Sequence, residues 1–494
     1  MEQRLAWFLV QYRLAQPRRF AASTETSVPQ LDLFADLLAE ALPDGAPLTP
    51  VVSPVAGDPD VGLPAAARGH GGRRPLPASL PREMVVHDLT DEQKVCPCCG
   101  QSRTVIGEER SEQLELEPPR LKVVAHVRLK YACPTCEGGG VQTAPKPLHP
   151  IPKSIAGPGL LAWIVTAKIA DGLPLYRQEA LFRRLGIDLP RNTLAAWLIR
   201  LGRLVQPLIN LLHEELLTRA LILADETRLQ VLREAGRTAQ TDSWLWCYRS
   251  GPDPPIILFE YTETRAGKHP HTYLDGFSGY LLTDGLSAYD QVRTATTRPT
   301  LVGCWSHARR YFHDIIKARP KTAPPGLADE ALRYIGALFH WERRWTEVTP
   351  AQRQALRQRH SAPIVDQFKV WLDRHLPATA PKTLLGKAIR YTLRFWLRLT
   401  QFLGDGRIPL SNNRTEQAIK KVVIGRKNFL FAYSPAGARA LANLYARVET
   451  AQANGLEPWR YLQRVFTALP VATTVAQVEA LLPWNLAHGE RSTG

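Results

Sequence analysis

Leu221-Ile222-Leu223-Ala224-Asp225-Glu226-Thr227 is the stretch on which the fold turns: four apolar residues, then two acids. The pattern reads as a buried strand, Leu221 to Ala224, with a carboxylate at its end. Gly279-Tyr280-Leu281-Leu282-Thr283-Asp284-Gly285 repeats the design, with a strand read over Tyr280 to Thr283. A lone buried carboxylate is costly unless something pairs with it. Two such acids at the ends of neighbouring strands suit a shared divalent cation, and each alone also reads as a strand-end Asp opening a turn. Successive strand residues face opposite sides, so Asp225 and Glu226 are not expected to serve one site together.

Further strands are read at Ser243 to Tyr248 and Ile256 to Tyr261. Before them, residues 150–217 are helical in pattern. A helix over Arg177 to Leu185, a turn at Gly186 to Leu189 and a helix carrying Leu194, Trp197, Leu198 and Leu201, with Asn192 or Thr193 as its cap, give a helix-turn-helix outline. Residues 320–400 and 408–465 are again helical, the latter strongly basic. The chain thus reads as a multidomain α/β protein.

Composition supports a polyanionic partner: 62 Lys and Arg against 46 Asp and Glu leave a net charge of +16, so nucleic acid is favoured. No stretch approaches the roughly 18 apolar residues of a membrane span. The reading therefore expects no membrane and a cytoplasmic, nucleoid-associated location.

Five of the seven cysteines fall between Cys96 and Cys136. Cys96-Pro97-Cys98-Cys99 and Cys133-Pro134-Thr135-Cys136 form two Cys-x-x-Cys knuckles. Cys96, Cys99, Cys133 and Cys136 suit one tetrahedral, structural Zn²⁺ within a small zinc-binding domain at 84–140. Near-alternation from Lys122 to Tyr131 predicts a strand leading into the second knuckle. Residues 1–45 hold a helical segment fitted to dimerisation, and the Pro-, Gly- and Ala-rich stretch at 46–83 reads as a flexible basic linker.

A third carboxylate would complete a two-metal site, and Asp405, Glu416 and Glu449 all remain open on spacing alone. Glu416 follows Ser411-Asn412-Asn413, where Ser or Asn can cap a helix. Cys304-Trp305-Ser306-His307-Ala308-Arg309-Arg310 admits two readings: the start of a metal site, or a buried Cys beside a hydrogen-bonded His.

These blocks together resemble the transposase of the insertion-sequence family sixty-six. The resemblance lies in Ala224 to Thr227, Gly279 to Gly285 with Tyr289, Cys304 to Arg310, and Asn412-Asn413 to Glu416 with Ile424 to Phe431. It continues through Asn454 to Pro458, Tyr461-Leu462 and Pro483-Trp484, and it reaches upstream to Leu80-Pro81-Arg82-Glu83. The family usually has Arg where this chain has Gln417, and often Asp where it has Ser411.

The resemblance implies a ribonuclease H-like catalytic domain at 218–450, interrupted by a helical insertion at about 320–400. A C-terminal segment at 451–494 follows; the helix-turn-helix outline, rather than the resemblance, marks 150–217 as a DNA-binding segment, though helical bundles share that outline. The catalytic, metal-holding triad becomes Asp225, Asp284 and Glu416, with two Mg²⁺ ions or Mn²⁺. The implied function is a DNA transposase that cleaves strands at element ends and transfers them into target DNA. Lys420, Lys421, Arg426, Lys427, Arg309 and Arg310 would contact DNA, with His307 and Cys304 accessory. Its partners are double-stranded DNA, further copies of itself and accessory transposition proteins. Two other functions fit the same residues: a DNA-binding regulator with an inactive catalytic domain, and a nuclease that cuts without joining.

Overall fold

A computed structural model describes residues 121–132, 141–144, 147–251, 254–292, 298–320 and 322–486. The chain divides into two compact units, residues 1–126 and 127–494, and almost all described residues belong to the second. Cys96, Cys99, Cys133 and Cys136, the segment at 1–45 and the linker at 46–83 lie outside the described residues. No described helix is long and apolar enough to cross a membrane.

The strand expected over Lys122 to Tyr131 is much shorter. Only Lys130–Ala132 (β1) is extended in a ladder, antiparallel to Val141–Thr143 (β2). Val123, Val127 and Leu129 are exposed, so their alternation serves no core among the described residues.

Four helices follow: Pro158–Ile169 (α1), Leu175–Arg184 (α2), Arg191–Leu204 (α3) and Gln206–Leu217 (α4). The turn between α2 and α3 uses Gly186 at φ +83°. Neither Asn192 nor Thr193 caps α3. Pro190 takes the N-cap position, and its carbonyl accepts from the N–H groups of Thr193 and Leu194 at 2.9 and 3.2 Å. Proline's fixed φ starts the helix here without a polar side chain.

The central sheet contains Leu221–Gln230 (β3), Asp242–Ser250 (β4), Ile257–Thr262 (β5), Tyr280–Thr283 (β6) and Thr300–Gly303 (β7), in the order β5-β4-β3-β6-β7. β4 runs antiparallel to β3 and β5, whereas β6 and β7 run parallel to β3. β3 is longer than its apolar run. β4 pairs with it through Gln230, so the polar half stays extended and Asp225 and Glu226 sit mid-strand rather than at its end. The parallel ladder with β6 covers only Leu221 to Leu223, which leaves that edge of β3 open beside the two acids. A helix at Lys268–Tyr273 (α5) and a 3₁₀ turn at Ser287–Gln291 flank β6.

The helical stretch after β7 comprises Trp305–Ala318 (α6), Leu327–Arg344 (α7), Pro350–Leu356 (α8), a π-helical turn at Arg357–Ser361, Ala362–His375 (α9), Leu384–Arg394 (α10) and Trp396–Leu399 (α11). These helices build a core of their own on Leu221, Leu223, Leu282 and Val302 of the sheet. Arg357 is fully buried. It grips Glu342 through two hydrogen bonds of 2.6 and 2.8 Å and donates to the carbonyls of Phe402, Asp405 and Ile408. That fan of bonds ties the insertion to the segment returning the chain to the sheet.

The chain ends in Asn413–Phe429 (α12), Pro435–Ala453 (α13), Pro458–Ala468 (α14) and Val475–Glu479 (α15). One continuous core joins α1–α4, β3–β5 and α12–α14, including Leu161, Leu201, Trp246, Tyr445 and Phe466.

Candidate active site

Strand parity places the acids. Leu221 and Leu223 belong to the core under the insertion, and Ile222 and Ala224 to the other core. Asp225 therefore continues the Leu221–Leu223 face. On β6, Leu282 lies on that same face and pairs with Leu223, so Asp284, two residues on, comes beside Asp225. Asp284 leaves the strand in a tight turn in which its Oδ1 accepts the N–H of Leu286 at 2.8 Å. Gly285 takes φ +95°. Tyr391 of α10 donates its hydroxyl to the Asp284 carbonyl at 2.7 Å, so the insertion fixes this backbone.

Glu416 comes from the first turn of α12 and is 2% exposed. Its placement depends on Asn412, which occupies the N-cap position without capping through its side chain. Asn412 instead donates Nδ2–H to the Ala224 carbonyl at 2.9 Å and its backbone N–H to Cys304 Sγ at 3.2 Å. Trp305 adds two bonds to the same joint: its N–H to the Leu410 carbonyl at 2.9 Å, and Nε1–H to the Leu399 carbonyl at 2.8 Å. Thus Asn412 fastens the start of α12 to β3, and Cys304 and Trp305 fasten it to the end of β7. One turn into α6, His307 puts Nδ1 3.8 Å from Glu416 Oε1.

Two groups of potential ligands result. One carboxylate oxygen from each of Asp225, Glu226 and Asp284 lies within 4.8 Å of the others, and Cys304, His307 and Glu416 form a second such group. Strand alternation predicts that Asp225 and Glu226 serve separate sites, and the Glu226 side chain does leave on the opposite face, against Trp246 and Tyr289. Because β6 has already ended, its carboxylate still reaches the open edge. Glu226 is held there by Tyr289 Oη at 2.9 Å and by Arg265, whose Nε donates at 2.9 Å. Arg265 follows β5 in a segment with no motif, so only the three-dimensional structure brings it to the site.

Burial and like charge dominate the electrostatics. Burial pushes Asp225 well above the usual carboxylate range, and Glu226, Asp284 and Glu416 push it further. Glu226 rises to about 7, through burial and Asp284, against the pull of Arg265. Burial and the Arg310 charge lower His307 to about 4, so its imidazole is neutral at pH 7. Burial raises the Cys304 thiol to about 12, assisted by Glu416.

Residues 153–440 match the model described as the transposase IS66 family. This chain belongs to that family. Residues 93–137 match the zinc-finger binding domain of the IS66 transposase, a span that contains all four knuckle cysteines. Residues 448–484 match the IS66 C-terminal element, and residues 7–85 the model named transposase C of IS166 homeodomain. The chain is 34% identical to the uncharacterized protein y4qI of Sinorhizobium fredii, over 84% of this chain and 79% of that one. It is also 34% identical to the uncharacterized protein y4jD of the same organism, over 86% of this chain and 83% of that one. Membership marks a nucleic-acid-processing enzyme with a zinc-finger domain.

Within this IS66 transposase the remaining sequence candidates separate. Asp405 is engaged by Arg407, with Oδ2 accepting from Nη2 at 2.6 Å, and Glu449 by Lys421 at 2.8 Å; neither belongs to the two ligand groups among the described residues. Lys421 is thereby tied up, whereas Lys427 is exposed. Lys420 and Arg309 are half-buried, and Arg310 lies beside His307. Arg426 donates to the Arg228 carbonyl.

Proposed function

We propose that this IS66 transposase cleaves phosphodiester bonds at the ends of its element and joins the freed strand to target DNA, using Asp225, Asp284 and Glu416. The observation that carries the reading is that Asp225 of β3 and Asp284 after β6 share one ligand group, while Glu416 at the start of α12, in a second group, is tied to the same strand through the bond from Asn412 to Ala224. A ribonuclease H-like catalytic domain at 218–450 is supported by the sheet: three antiparallel strands with the first central, then two parallel strands on its far side.

The donors suit a hard divalent cation, because clustered carboxylates that repel one another are stabilised by one. Two Mg²⁺ ions, or Mn²⁺, held by the triad would activate the attacking oxygen and stabilise the leaving one. The chain's own residues then divide the work. His307, 3.8 Å from Glu416, positions a water or phosphate beside it, and Cys304 and Asn412 fix the helix that carries it. Arg310 and Lys427 supply positive charge for DNA phosphates, with Arg309, Lys420, Lys421 and Arg426 behind them. Cys96, Cys99, Cys133 and Cys136 hold a structural Zn²⁺ in the domain at 84–140. The segment at 150–217 contributes DNA contacts, and residues 1–45 assemble copies of the chain, since two element ends must be held together. Accessory transposition proteins complete the machinery.

The test is cleavage and strand transfer on a labelled terminal-repeat duplex with Mg²⁺ and a target plasmid, comparing the intact chain with Glu416→Gln. Cut and joined products from the intact chain alone are expected. Cutting without joining would reduce the activity to that of a nuclease, and binding without cutting to that of a regulator.

A further inference from the structure

β3 runs on past the acids toward a loop whose side chains no fold requirement explains. Leu430 ends α12 at φ +65° and ψ −52°, a γ-turn conformation whose strain is on the order of 1–3 kcal/mol for a residue other than glycine. Phe431 N–H turns back to the Phe429 carbonyl at 2.8 Å, and the next two residues, Ala432 and Tyr433, are laced to the end of β3 and the residues that follow it. Ala432 N–H donates to the Gln230 carbonyl, Leu232 N–H to Ala432 and Arg233 N–H to Tyr433, at 2.9, 3.0 and 3.1 Å. This clamp holds Leu430, Phe431 and Tyr433 out in water, 61, 41 and 56% exposed. A strained, hydrogen-bonded loop that displays aromatic rings points to a ligand.

The neighbourhood is cationic. Arg233 lies over the Tyr433 ring at 4.8 Å. Arg426 donates to the Arg228 carbonyl, and the Arg228 guanidinium, 68% exposed, pairs with the exposed Asp242 at 3.2 Å and lies 5.9 Å from the centre of the Trp244 ring. Arg265 lies over the same ring at 4.7 Å and grips Glu226. Contacts run from the carboxylate edge through Arg265 and Trp244 to Arg228, and the Arg233–Tyr433 pair stands beyond the end of the same strand. Cations suit phosphates, and exposed ring faces suit bases with no pairing partner, because a paired base offers no free face.

We infer that this strip seats an unpaired DNA strand leading from the catalytic carboxylates, with Phe431 and Tyr433 as its stacking platform. The inference rests on the transposase reading for the identity of the strand's source. The strip makes frayed or overhanging element ends the preferred form of the substrate at this face. Phosphates follow the arginines, and one or two bases stack at the loop.

The test uses the full chain without divalent cation, so that binding is read apart from cleavage. The probe is a DNA duplex with a short unpaired 3′ overhang carrying 2-aminopurine, alongside a blunt duplex of the same sequence. The intact chain is expected to quench the overhang fluorescence. Tyr433→Ala and Phe431→Ala should each relieve the quenching and weaken overhang binding roughly fivefold or more, leaving blunt-duplex affinity in place. Tyr433→Phe should keep both, and Arg233→Ala should shallow the salt dependence by about one phosphate contact. Equal losses on both probes would overturn the inference in favour of a duplex contact. Unchanged DNA binding with altered sedimentation would overturn it in favour of a face between copies of the chain. Overhang stacking by a chain that neither cuts nor joins would leave the platform standing and remove the transposase chemistry instead.

Discussion

Asp284 and Gly285 illustrate how little latitude the site has at single positions. Gly285 is left-handed at φ +95°, and a Cβ there would meet the Phe395 ring at 2.9 Å. Gly285→Ala is therefore expected to cost about 1–3 kcal/mol from backbone strain and overpacking together. It should also displace Asp284, so strand cleavage falls more than DNA affinity does; equal loss of the two would mean that the turn only supports the fold. Asp225 makes the complementary case. Its ionised carboxylate is disfavoured by burial and by three neighbouring acids, so the metal-free protein carries a local electrostatic strain. Asp225→Asn is expected to raise the melting temperature of chelator-treated protein by a few degrees while abolishing cleavage. Added Mg²⁺ should stabilise the parent and leave the variant's melting point where it was; an equal Mg²⁺ response in both would remove Asp225 from the metal.

At the scale of elements, close approach decides what the helices tolerate. A Cβ on Gly202 of α3 would lie 2.6 Å from both Cα and Cβ of Ala440 on α13, so this crossing exists only with glycine. Gly202→Val should destabilise by several kcal/mol, read as a lower urea midpoint, because backbone rather than a flexible side chain must yield. The contact between α1 and α12 has a pH signature. The Lys168 ammonium sits 4.2 Å from the Phe429 ring centre, and burial lowers its pKa to about 8. The unfolded chain then binds more protons than the folded one between about 8 and the ordinary lysine value of 10.5, so stability gains as pH rises through that window. Lys168→Met should stabilise the protein at pH 7 by about 2 kcal/mol, and its advantage should shrink above pH 8 in urea titrations.

These elements also show what a linear reading can reach. β6 was legible to the residue because glycines bracket an apolar run that is buried on both faces. β3 was read too short, since the partner that keeps Asp225 to Gln230 extended is β4, and pairing of that kind leaves no local mark. Thr300–Gly303 passed unread as a strand for a similar reason: four residues gain their structure from β6 alone. The first two acids stood out through their strands, but the third was open among three until the family resemblance selected Glu416. Its position depends on Asn412 and Cys304, which meet from distant parts of the chain. Arg265 had no signal at all.

At the scale of the whole molecule, the C-terminal element carries structural weight beyond its length. Trp459 of α14 donates its indole N–H to the Gly159 carbonyl of α1 at 3.0 Å, and Tyr461, Leu462, Val465 and Phe466 are buried in the core shared with α1–α4 and β3–β5. Tyr461 also presents its ring 5.0 Å from the Arg447 guanidinium, which is fully buried in α13. Removing the chain beyond Gly455 would uncover four large side-chain sites, each worth about 1.5–3 kcal/mol of burial, and would expose α1 to water. The sum rivals the 5–15 kcal/mol by which a typical domain is stable. A chain ending at Gly455 is therefore expected to lose its cooperative near-ultraviolet melt altogether, although every candidate catalytic residue remains in it. A truncated chain that melted cooperatively within a few degrees of the parent would show that the sheet and its acids stand on the insertion core alone, and that α14 is an appendage to an independent catalytic body.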